Sequence, residues 1–162
     1  MKDLSMAGTG LDGYGLLQAQ LRALLADERN FLANAAQFSA FIFQEIPRLN
    51  WAGFYLMTDG ELVLGPFQGK VACVRIPVGK GVCGTAAAKR ETIVVSDVHA
   101  FPGHIACDSA SNSEIVIPVI RGERLVGVFD IDSPELDRFS AEDQAGLEAL
   151  VSLFIEATDF PE

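Results

Sequence analysis

The sequence predicts an α+β domain, one antiparallel sheet with helices on its faces. Three observations predict it. Apolar residues recur at helical spacing over residues 14–46 and again after Ser140. Between these segments lie two sets of three strand-like stretches, separated by a glycine-led run of good helix formers. Each set holds a tight turn, Asp59-Gly60 in the first and "RGER" at 121–124 in the second, and tight turns join antiparallel neighbours. Helix, three strands, helix, three strands, helix is the order expected when helices cover such a sheet.

The elements follow in chain order. Leu17, Leu21, Leu24, Leu25, Phe31, Leu32, Ala35, Phe38, Phe41 and Ile42 form the first helical stripe. The polar "ADERN" at 26–30 can divide it in two, and Pro47 ends it. "NWAGFYLM" (50–57) is an aromatic-rich strand, and "ELVLGPF" (61–67) is its return. "KVACVRIPV" (70–78) reads as a third strand, with Cys73 in its middle on one face with Val71 and Arg75. "GKGVCGTAAAKR" (79–90) supplies the central helix. "ETIVVSDV" (91–98) is a short strand leading into a polar loop, followed by the hairpin strands "SEIVIPVI" (113–120) and "LVGVFDIDS" (125–133). Ser140 caps a last helix running to about Thr158, with Asp143 supporting its first turn. No repeat, low-complexity segment or second domain boundary interrupts this order. Residues 1–13 are expected to be a loosely held tail and 14–162 one domain.

Composition narrows the function classes. A chain of 162 residues that is 49% apolar and 21% charged is a globular protein with a real core. A net charge of −10 repels phosphate backbones, so nucleic acid is not expected as a partner. No apolar run is long enough to span a bilayer, so no membrane partner is expected either. The first residues lack the apolar stretch of a secretory signal, and a cytoplasmic setting is expected. Three cysteines, an odd count, argue against a structural disulfide framework. They leave packing thiols, a metal site or redox chemistry.

Several residues attract attention on chemical grounds. Cys107 lies in "FPGHIACDSASNSEI", among loop formers, between His104 and Asp108, with Glu114 a little further on. A polar loop is unusual company for a free cysteine, which is commonly buried. Cys83 lies in the first turn of the central helix, where amide dipoles favour a thiolate, yet a small buried packing residue suits the same position. Cys73, taken alone, reads as a packing residue of a strand. The cysteine spacings contain no C-x-x-C, so zinc with His99 or His104 ranks below redox chemistry. Gly79, Gly81 and Gly84 fit G-x-G-x-x-G, but the sheet around them is antiparallel, and a tight turn explains them better than a dinucleotide.

The acidic residues are more telling. In "LVGVFDIDS", Val126, Val128, Asp130 and Asp132 share one strand face by alternation. Two like charges on one face are costly without a cation between them. Asp130 and Asp132 therefore read either as a clamp for an ammonium group or as a strand end reaching solvent. Trp51 and Tyr55 also share a face, with Gly53 leaving space between them. They read as ordinary core or as aromatic walls for a small apolar or sulfur-containing group.

"GFYL", "IPVGKGVCGTAA", "DVHAFPGHIACDSASNSEIVIPV" and "GVFDIDSPELDRFSAEDQAGLEAL" together resemble the free methionine-(R)-sulfoxide reductases, a catalytic branch of the GAF-domain superfamily. The resemblance runs from about Asn50 to Leu150 and includes all three cysteines. It implies a GAF fold, usually as a homodimer, and reduction of free methionine-(R)-sulfoxide to methionine with thioredoxin as reductant. It also implies roles for residues. Cys107 would attack the sulfoxide sulfur and become a sulfenic acid. Cys73 would resolve it as a disulfide, and Cys83 would be a second resolving or relay thiol. Glu114 would hydrogen-bond the sulfoxide oxygen with help from Asp132. Asp130 would hold the substrate ammonium, and Trp51 and Tyr55 would surround the S-methyl end. Acid assistance calls for protonated carboxyls, so raised pKa values are expected at Glu114 and Asp132. No flavin, haem or metal cofactor is signalled. The rival readings are a non-catalytic GAF sensor of a small metabolite and a thiol redox switch.

Overall fold

The computed structural model describes residues 11–105 and 110–162. Most of the expected tail, residues 1–10, therefore lies outside the described residues, as does Cys107. The first helical stripe forms two helices, α1 (Leu11–Leu25) and α2 (Phe31–Glu45). The break falls within "ADERN", where Asn30 accepts from the Ala33 amide and caps α2. β1 (Trp51–Thr58) and β2 (Glu61–Gly69) form the first hairpin, and β3 (Arg75–Pro77) adds to its edge. α3 (Gly81–Lys89) and β4 (Ile93–Val95) precede a short 3-10 turn at Val98–Ala100. β5 (Ser113–Arg121) and β6 (Arg124–Ser133) form the second hairpin, and α4 (Ala141–Ala157) follows. Ser140 and Asp143 close a reciprocal capping box at the start of α4.

The six strands make one antiparallel sheet in the order β3-β2-β1-β6-β5-β4. The long strands β1 and β6 pair at its centre, so the two hairpins join into one surface. α1, α2 and α4 cover one face over a core that includes Phe38, Phe54, Phe129, Ile115 and Phe154. α3 covers the other face over a smaller cluster of Tyr55, Val82, Ala86, Val116 and Val128. Glycine makes the turn into α3 possible. A Cβ at Gly84 would lie 2.5 Å from the Pro77 carbonyl oxygen, and the Gly84 carbonyl takes the Gly79 amide at 2.8 Å. Among the described residues, no helix is long and apolar enough to cross a membrane.

Two expectations about strand faces need correction. Cys73 is not in a strand, because β3 begins at Arg75 and residues 71–73 are irregular. The β2–β3 pairing ends at Val63–Arg75, and Pro66 has no N–H with which to extend it. The segment is held instead by side chains and a bulge: Trp51 Nε1 donates to the Lys70 carbonyl at 3.1 Å, and Tyr55 Oη donates to the Cys73 carbonyl at 2.7 Å. The second correction concerns Val126. It packs in the core under α1, α2 and α4, whereas Val128 packs under α3. Strand β6 carries an extra residue there: Ile120 pairs with Leu125, but Val119 pairs with Gly127. One extra residue moves everything beyond it to the opposite face.

Candidate active site

That bulge builds the site. A regular hairpin continued from the Arg121–Arg124 and Ile120–Leu125 pairs would set Glu114 opposite Ile131, on the α1–α4 side. The shift sets Glu114 opposite Asp132 instead, and Val116 opposite Asp130. On the other flank, Trp51 pairs with Asp132, Gly53 with Asp130 and Tyr55 with Val128. Three strands thus deliver Trp51, Tyr55, Glu114, Asp130 and Asp132 to the sheet face under α3. The first turn of α3 adds Cys83 from above.

These groups line a narrow cavity that opens to solvent. Ile76, Lys80 and Ser111 join them, and His104 and Ile105 stand at the end of the segment leading toward Cys107. The three carboxyl residues are deeply buried, Glu114 at 7% exposure, Asp130 at 6% and Asp132 at 9%. None of the ion pairs among the described residues involves them. Burial pushes all three pKa values well above the carboxylate range, and neighbouring carboxylates push in the same direction. Side-chain hydrogen bonds link Glu114, Asp130 and Asp132 to one another, and Ser111 reaches Asp132. Shared protons are the way such a group avoids three unpaired buried charges. One oxygen of Asp130 and one of Asp132 still find no partner. Buried polar atoms of that kind ask for a ligand or water to complete them.

Cys83 settles as a thiol. Burial raises its pKa first, and the carboxylates of Asp130, Glu114 and Asp132 add to the shift. These effects outweigh the helix dipole that the sequence suggested. Its sulfur and one carboxyl oxygen each of Glu114 and Asp130 all lie within 4.8 Å of one another. The aromatic wall is tighter than expected. Trp51 stacks on Phe67 with ring centres 5.2 Å apart and on Tyr55 at 5.9 Å. A Cβ at Gly53 would meet the Phe67 Cβ at 2.2 Å and the Trp51 ring at 2.9 Å. Gly53 therefore leaves room for the protein's own Trp51 and Phe67, and the cavity lies beside that stack.

The segment from Ala110 onward is firmly attached. The Asn112 amide donates to the Ser133 carbonyl at 2.8 Å, and the Asn112 side chain donates to the Pro134 carbonyl at 2.7 Å. Asn50 donates to the Ser111 hydroxyl at 3.0 Å. His99 Nε2 lies 3.1 Å from Asn112 Oδ1. Desolvation, and then the neighbouring His99, lowers the pKa of His104. The side chains of Ser111 and Lys80 are not singled out by the sequence, although backbone amides of the "CDSASN" stretch at 107–112 are plausible donors to a substrate. Ser111 sits four residues after Cys107 in a stretch that reads only as loop, and Lys80 reads as a surface residue beside glycines.

A six-stranded antiparallel sheet with a helix pack on one face, and a cavity under a short helix on the other, defines the class as a GAF domain. Residues 33–157 match the GAF domain family. A free methionine-R-sulfoxide reductase of Escherichia coli (strain K12) is 55% identical over 139 residues, 86% of this chain and 84% of that protein. A solved structure of the free methionine-R-sulfoxide reductase from Neisseria meningitidis, in complex with its substrate, superposes with a TM-score of 0.86. It is 43% identical and covers 90% of this chain and 88% of that one. A chain from Burkholderia vietnamiensis named for a GAF sensor superposes with a TM-score of 0.87 at 57% identity, covering 90% of this chain and 92% of that one. The chain belongs to the free methionine-R-sulfoxide reductase family of GAF-domain proteins.

Proposed function

We propose that this protein reduces free L-methionine-(R)-sulfoxide to L-methionine. The observation that carries the reading is the buried cluster of Glu114, Asp130 and Asp132 beside an aromatic wall, its pKa values pushed up by burial, with two carboxyl oxygens left over for a ligand. An amino-acid sulfoxide offers what such a cavity lacks. Its ammonium supplies the missing cation to Asp130, its S-methyl end packs on Trp51 and Tyr55, and its sulfoxide oxygen accepts a proton from Glu114, assisted by Asp132.

In this mechanism the Cys107 thiolate attacks the sulfoxide sulfur while the carboxyl cluster protonates the oxygen. The protonated oxygen passes from the substrate sulfur to Cys107 Sγ as the transient bond between the two sulfurs breaks, so methionine leaves with that bond's electron pair and Cys107 becomes a sulfenic acid. The Cys73 thiol then attacks that sulfur, expelling the oxygen as water and closing a disulfide. That Cys73 is disulfide-bonded, while Cys83 is a free buried thiol, supports Cys73 as the resolving residue and leaves Cys83 the relay part at most. Thioredoxin would reopen the disulfide by exchange, and the homodimer of the family belongs to the same proposal. A substrate held at both its α-ammonium and its sulfoxide leaves no room for a peptide continuing from that nitrogen.

The test is methionine production from four substrates with a dithiol reductant: the free R and S epimers, an N-acetylated R-sulfoxide and a sulfoxide-containing peptide. Turnover of the free R epimer alone, lost in Cys107→Ser, is expected. Binding of the sulfoxide without any methionine would favour the sensor reading.

A further inference from the structure

The cavity brings a thiol and two carboxyl groups to one point, a combination that amino-acid binding alone does not require. Cys83 Sγ and carboxyl oxygens of Glu114 and Asp130 converge within 4.8 Å of one another, all three residues are buried, and Asp130 keeps an oxygen with no partner. We propose that Cys83, Glu114 and Asp130 form a binding site for a thiophilic divalent cation of the zinc class inside this cavity. Tetrahedral zinc with one sulfur and two oxygen ligands, at about 2.3 Å and 2.1 Å, needs ligand atoms about 3.4–3.6 Å apart. The three groups reach that spacing by movements of about an ångström, which side-chain rotation supplies.

The donor set decides the class of ion. Magnesium demands six oxygen-rich, near-octahedral ligands and calcium six to eight oxygens, and a sulfur in a tight buried triad serves neither. A thiolate with carboxylates suits zinc and its heavier congener cadmium. A bound ion of this kind deprotonates the thiol outright and replaces the protons that now keep the triad neutral. The three ligands come from α3, β5 and β6, which is why no ligand spacing along the chain announces the site. An ion here would lie where the reductase reading puts the substrate ammonium.

The experiment uses the full chain, oxidised until a single thiol per chain titrates, so that a cadmium–thiolate bond reports on Cys83. Cadmium is added and the ultraviolet thiolate-to-cadmium charge-transfer band is followed. The expected result is a band that saturates at one ion per chain and survives excess calcium and magnesium. Cys83→Ser should remove the band, and Asp130→Asn and Glu114→Gln should each weaken binding by about tenfold or more. A wild-type protein with no saturable band would overturn the site. So would an affinity unchanged in both carboxyl variants. The readout is optical and needs no turnover, so it stands or falls separately from the reductase reading.

Discussion

The carboxyl cluster makes a thermodynamic prediction with a definite sign. Glu114, Asp130 and Asp132 have pKa values raised well above the ordinary range by burial and mutual crowding. In the unfolded chain each ionises near the usual carboxylate value, about 4. Between that value and the folded one, the native state binds more protons than the unfolded state, so stability falls as pH rises. Each retained proton contributes a slope of about −1.4 kcal/mol per pH unit. The contribution is fully present below the unfolded value and is gone once the folded cluster ionises. Glu114→Gln removes one such proton while keeping the shape of the side chain. Urea unfolding at stepped pH should show the variant gaining on the wild type by about 1.4 kcal/mol per pH unit from about pH 4 upward. The three groups titrate as a unit, so the slope difference belongs to the cluster. A stability difference that does not change with pH would refute the claim that the folded cluster is protonated.

Two further substitutions test the geometry around the cavity. Gly53→Ala places a methyl group within 2.2 Å of the Phe67 Cβ and 2.9 Å of the Trp51 ring. It should cost about 1–3 kcal/mol in unfolding free energy and raise the KM for free methionine-(R)-sulfoxide by displacing Trp51. Tyr55→Phe removes the donor to the Cys73 carbonyl and should lose about 1–2 kcal/mol. It should also slow disulfide formation after the first turnover more than methionine release, which rapid-quench thiol counting separates.

Much of the fold is legible along the chain because helices and hairpins are local. The stripe from Leu17 to Ile42, the break at "ADERN", the Asp59-Gly60 turn and the Ser140–Asp143 cap each announce an element within a few residues. The site is legible in part for the same reason. Asp130 and Asp132 stand two residues apart on one strand, so alternation places them together without any knowledge of neighbours. Glu114 is different. Its position beside Asp132 depends on the extra residue at Val126, and a bulge leaves no composition signal in "LVGVFD". The resemblance carried Glu114 into the site where periodicity could not. Cys73 shows the opposite failure. "KVACVRIPV" alternates like a strand, but donors from Trp51 and Tyr55 take the backbone carbonyls of Lys70 and Cys73, and the strand shortens to three residues. For Cys83, helix position leaves a thiolate and a small packing thiol equally open, and burial, followed by three carboxyl groups from distant strands, favours the thiol.

The reductase mechanism is tested most directly by a single turnover without recycling reductant. Prereduced protein is mixed with excess free methionine-(R)-sulfoxide, and methionine formed and thiols lost are counted per chain. The mechanism predicts about one methionine and two thiols lost per chain, with Cys83 still titrating after denaturation. Thiol loss with no methionine would contradict it and point to a redox switch. An unchanged thiol count with no methionine would leave a GAF domain that binds without reacting.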